Sequence, residues 1–142
     1  KALTASIGPF LYSLAGLTPA EWPAGQIVFA PAAQIMPVLR AAQGAIEIQA
    51  GRVALEWRWS ARAVEMNVTM PASMQRPHGV VRLPAPHTPR WTLYENGTRL
   101  LDGSSCPALA AHPGVWQADC APEAITLHLR PGRFALTLAI YD

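Results

Sequence analysis

The sequence predicts an all-β fold, an antiparallel β-sandwich or jelly roll with one short N-terminal helix. Three observations carry this expectation. The stretch Gly51–Trp59 alternates strictly, with Val53, Leu55, Trp57 and Trp59 on one face and Arg52, Ala54, Glu56 and Arg58 on the other. Fourteen prolines and ten glycines break the chain into short segments spaced near ten residues apart. Turn signals such as Asn96-Gly97 sit between alternating runs.

The elements follow in order. Leu3, Ile7, Phe10, Leu11 and Leu14 recur at helical spacing, so residues 3–15 read as a helix, and Gly16 is placed to end it. Pro9 favours a start near Gly8-Pro9. Gln26–Ala30 reads as a short apolar strand. Ile35–Leu39, broken by Pro37, reads as an edge or bend. Gly44–Gln49 and Arg52–Trp59 flank Ala50-Gly51 as a hairpin. Val64–Met70 alternates again, with Val64, Met66, Val68 and Met70 inward and Asn67 and Thr69 outward. Gly79–Leu83 is stopped by Pro84 and Pro86. Trp91–Tyr94 and Thr98–Leu101 form a hairpin whose tip is Asn96-Gly97, because both residues tolerate positive φ. Val115–Gln117 reads as a short strand. Ala124–Leu129 and Phe134–Tyr141, joined by Arg130-Pro131-Gly132-Arg133, read as a terminal hairpin. Eight or nine strands result, in a single domain over 1–142, with a helix within 1–17 and the sandwich over 18–142.

Bulk properties narrow the function. The 142 residues suffice for one domain with a core, and 51% hydrophobic with 14% charged residues is a packed composition. The net charge of +2, with basic residues scattered and Lys1 the sole lysine, excludes a nucleic-acid-binding reading. No apolar run reaches a membrane span of about 18 residues. The chain opens without a charged-then-apolar leader, so no signal peptide is expected within it. Cys106 and Cys120 bracket a Pro-, Gly- and Ala-rich loop, and a disulfide there would stabilise by about 3 kcal/mol. Asn67-Val68-Thr69 and Asn96-Gly97-Thr98 are N-glycosylation sequons. Together these features point to a secreted, extracellular protein, against the alternative of two buried thiols and unmodified Asn.

Taken in order, the segments resemble the C-terminal part of α-L-rhamnosidases, glycoside hydrolase family 78. Ser6–Pro19 looks like the last helix of that family's catalytic barrel and the start of the strand region behind it. Pro23–Pro31 resembles a Pro-Gly strand ending in Pro. Gly51–Trp59, Val64–Pro71, Val80–Pro84 and the Leu93–Leu101 hairpin resemble the strands that follow. The resemblance implies a domain that buttresses a helical barrel. Catalysis there is inverting and uses two carboxylates supplied by the barrel. The family's Asn-His pair would fall at or before Lys1, so no catalytic residue is carried over and no activity is expected of this chain alone.

The residues offer little other chemistry. Glu47 and Glu56 lie on neighbouring strands and are expected either to face each other or to be solvated surface acids. His78, His87, His112 and His128 show no metal-ligand spacing, and neither Cys has a near Cys partner, so no metal or cofactor is expected. There is no Gly-x-Ser-x-Gly elbow and no phosphate loop. The aromatics remain. Trp57 and Trp59 read as core by phase. Trp91, opening a strand after a Pro loop, Tyr94, and Trp116 in the Cys-bracketed loop are the candidate carbohydrate contacts, against the alternative that they staple loops to the sheet. The readings left open are three. The first is a non-catalytic accessory domain contacting a rhamnose-containing glycan, with a barrel or second subunit packed on helix 3–15. The second is a stand-alone secreted carbohydrate-binding or host-interacting protein. The third is a fragment of an active rhamnosidase.

Overall fold

Alternating side chains and frequent turns produce ten strands in two sheets, seen in a computed structural model that describes residues 27–29, 40–48, 51–60, 62–72, 79–84, 90–104, 106 and 108–141. The strands are β1 (Ile27–Phe29), β2 (Ala41–Ile48), β3 (Gly51–Trp59), β4 (Ala63–Thr69), β5 (Gly79–Pro84), β6 (Trp91–Glu95), β7 (Thr98–Asp102), β8 (Val115–Cys120), β9 (Ala124–Leu129) and β10 (Arg133–Ile140). The expected helix 3–15, the expected strand Ile35–Leu39, His78 and His87 lie outside the described residues.

One sheet runs β1-β5-β9-β8 and the other β2-β3-β4-β10-β6-β7. Pairing is antiparallel throughout the larger sheet. In the smaller sheet β1 lies parallel to β5, a pairing that needs a long crossover, here the three strands β2 to β4 in the other sheet. The inner faces meet in one core. Val53, Leu55 and Trp57 of β3, Val64, Met66 and Val68 of β4, and Phe134, Leu136 and Leu138 of β10 face Phe29, Leu83, Ile125, Leu127 and Leu129.

Local chemistry sets the connections. At Asn96 and Gly97 φ is +48° and +81°, the paired positive values of a two-residue hairpin whose twist matches its strands. The segment 130–132 departs from expectation. β9 and β10 belong to different sheets, so it arches between layers rather than closing a hairpin, and both strands still face one core. Glu47 and Glu56 do not oppose each other. Register sets Glu47 against Arg52 and Glu56 against Gln43, and the exposed Arg52–Glu47 pair is 3.8 Å apart, a contact of small value.

Two bulges re-aim side chains. Opposite Leu93 and Tyr94 the partners step from Leu101 to Arg99, so Leu100 and Leu101 are both buried. Opposite Leu129 and His128 the partners step from Val115 to Gln117, leaving Trp116 as the extra residue. The consequence is that Trp116 and Gln117 both point outward while Val115 and Ala118 stay in the core. Cys106 is bonded to Cys120 at the end of β8, with Cα atoms 6.3 Å apart.

Candidate functional site

The three aromatic candidates do not form one patch. Trp91, although it opens its strand after a Pro loop, is 6% exposed and belongs to the core, which corrects its reading as a surface contact. It lies two residues before Leu93 on β6, and that spacing puts both on the inner face. Tyr94 has the opposite phase and pairs with Thr137 on the outer face of the six-stranded sheet. Its hydroxyl is 3.3 Å from that of Tyr141, and this hydrogen bond, followed by partial desolvation, raises the Tyr94 pKa above the ordinary phenol value. Trp116 lies on the outer face of the four-stranded sheet, across the sandwich from Tyr94.

Trp116 is 45% exposed and rests on a polar ledge. Its ring centroid is 5.1 Å from that of His128, with the planes tilted by 48°. His128 comes from β9, between the core residues Leu127 and Leu129, and so must face outward. His128 Nε2 lies 3.0 Å from Asp119 Oδ2. The Gln117 amide donates to the same carboxylate, at 3.1 Å to Oδ2 and 3.3 Å to Oδ1. These bonds hold the Asp119 carboxyl below its ordinary pKa, the His128 contact first and Gln117 second. His128 Nδ1 is buried with no hydrogen-bond partner among the described residues. The sequence marked Trp116. It did not mark Gln117, Asp119 or His128, because their meeting depends on a cross-strand register shifted by one bulge.

A second polar cluster closes one end of the sandwich. Glu95 shares the inward phase of Trp91 and Leu93, and its Oε1 lies 2.8 Å from His112 Nε2. The Ala135 N–H donates to Glu95 Oε2 at 3.1 Å, and the Gly114 N–H donates to His112 Nδ1 at 2.9 Å. Nδ1 is therefore the acceptor, and Nε2 carries the proton given to Glu95. Every polar atom of this dyad has a protein partner, which marks it as a tie between the 108–114 segment and the sheets. Among the described residues no three His, Cys, Asp or Glu side chains gather as a metal site. Asn67, mid-strand on β4, and Asn96, at the β6–β7 tip, are both exposed on the side of the six-stranded sheet and line one shallow groove.

No family model matches the chain, and no curated protein matches it in sequence. Solved structures do match. An α-L-rhamnosidase from Streptomyces avermitilis, solved with L-rhamnose, aligns with a TM-score of 0.62 and 16% identity over 93% of this chain and 11% of its own. An α-L-rhamnosidase from Dictyoglumus thermophilum aligns at 0.59 and 15% identity over 80% of this chain and 11% of its own. A GH31 dextranase from Flavobacterium johnsoniae, in complex with isomaltotriose, aligns at 0.53 and 9% identity over 80% of this chain and 16% of its own. The chain spans about a tenth of the length of these rhamnosidases, and what it shares with them is the fold of a small β-sandwich domain within a much larger protein.

Proposed function

We propose that this chain is a non-catalytic accessory β-sandwich of a rhamnosidase-like glycoside hydrolase, and that it contacts carbohydrate through Trp116. The observation that carries the contact is the braced, half-exposed indole on the four-stranded face, with an amide and a carboxylate beside it. An indole face matches the apolar face of a sugar ring, and neighbouring polar groups meet its hydroxyls. The fold shared with a small part of two rhamnosidases supports the accessory role. The Cys106–Cys120 bond and the exposed sequons support an extracellular setting, with glycans on the side opposite Trp116.

The test is titration of the folded chain with L-rhamnose and rhamnogalacturonan fragments, read by intrinsic tryptophan fluorescence. The expected result is a saturable change at millimolar sugar that Trp116→Ala abolishes. A flat signal for every sugar tried overturns the carbohydrate reading. The mass of the native protein tests the accessory role, because a lone chain of this size would overturn it.

A further inference from the structure

We propose that the Trp116 ledge selects a neutral saccharide unit and rejects uronates and sulfated sugars. This rests on the carbohydrate reading above and goes beyond it by naming the ligand's charge class.

The argument is an inventory of donors and acceptors. One Gln117 amide N–H and the His128 Nε2 are spent on Asp119, from within the ledge. What Asp119 and Gln117 still offer is mainly acceptor capacity, at Asp119 Oδ1 and the Gln117 amide oxygen, beside the second N–H of that amide. Asp119 is exposed and, with its pKa held down, fully ionised at neutral pH. Asp119 Oδ2 already takes His128 and Gln117, so Oδ1 is the oxygen left to accept a sugar hydroxyl in a short charge-assisted bond. A uronate or sulfate brings acceptors to acceptors and a negative charge to a negative charge.

Placement reinforces this. The bulge at Trp116 turns two successive side chains outward, so the stacking surface and Gln117 share one side of an edge strand. His128 is wedged against the indole and tied to Asp119, which fixes the ring relative to the carboxylate. His128 therefore acts as a positioning residue. Two basic residues lie nearby: Arg82, reached from Asp119 across Thr126, and Arg130, two residues beyond His128, whose Nη1 donates to the Pro113 carbonyl. Two strand spacings, about 10 Å, put the Arg82 backbone beyond a single sugar ring stacked on Trp116.

The experiment compares matched pairs on the intact chain: galactose with galacturonate, and glucose with glucuronate, by calorimetry and tryptophan fluorescence at low salt. The expected result is at least about tenfold tighter binding of the neutral member. Asp119→Asn should weaken the neutral sugar by about tenfold and narrow the gap to its uronate. Arg82→Gln should leave the gap unchanged. Uronates binding wild type as well as their neutral partners, through a Trp116-dependent signal, would overturn the selectivity and leave the carbohydrate reading standing. Failure of every sugar to bind would overturn both. The wild-type comparison needs no variant to fold, and a thermal melt of Asp119→Asn separates lost recognition from lost structure.

Discussion

Two glycines show how differently one methyl group acts at two positions. A Cβ on Gly114 would lie 2.6 and 2.8 Å from the Phe134 ring, inside van der Waals contact. Gly114→Ala should therefore destabilise by about 1–3 kcal/mol, seen as a lower urea midpoint at unchanged slope. A Cβ on Gly97 would meet nothing, but φ there is +81°. Gly97→Ala should cost about 1 kcal/mol from backbone strain alone. Asp119 links the same scale to pH. Its carboxyl pKa is lower in the folded chain than the unfolded value of about 3.9. A depressed carboxyl stabilises the fold above the unfolded pKa, and that contribution fades as pH falls through the folded value. The melting temperature of wild type should then drop further between pH 5 and pH 2.5 than that of Asp119→Asn. Equal drops would show that the contacts with His128 and Gln117 do not persist in solution.

At the scale of elements, the stretch leading into β8 is held at two points, Cys106 and His112. Cys106–Cys120 fixes its start to the end of β8, and His112–Glu95 fixes its far side to β6. Reducing the bridge should cost about 3 kcal/mol. Glu95→Ala leaves the His112 and Ala135 donors unmet and should cost about 1–3 kcal/mol. Because either change frees the same segment, the double change should cost less than the sum, which a double-mutant cycle measures directly. Legibility in the sequence follows the same division. β3, β4 and β10 alternate over seven residues or more, and their faces could be read from periodicity alone. The Asn96-Gly97 turn was legible because its φ values demand those residues. The β8 bulge was not, since it replaces alternation with two outward residues in a row and only the partner strand reveals it. The arch at 130–132 carries the turn chemistry of a hairpin, and nothing local says which sheet takes the second strand. Trp91 was misread from the Pro-rich loop before it, although its spacing to Leu93 already placed it inside.

At the scale of the molecule, both sheets commit their inner faces to one core, and no polar residue is buried among the described ones. Trp57 sits in the middle of it, opposite Met66 on β4 and Ala42 on β2. Its indole N–H is buried with no partner among the described residues. Two opposed terms follow. Deleting the ring leaves a large cavity, so Trp57→Ala should cost about 3–5 kcal/mol, a large part of the roughly 5–15 kcal/mol that holds a domain together. Trp57→Phe loses less volume and also removes an unmet donor whose burial costs about 1–3 kcal/mol. It should therefore cost much less than the Ala change, and the two losses should appear in one cooperative transition because a single core spans both sheets. Chemical denaturation followed by circular dichroism and by fluorescence of the remaining tryptophans checks this. Coincident curves support one cooperative unit. Separated curves, with the β8–β9 side persisting after β3 and β4 have unfolded, would mean that the two sheets do not depend on each other.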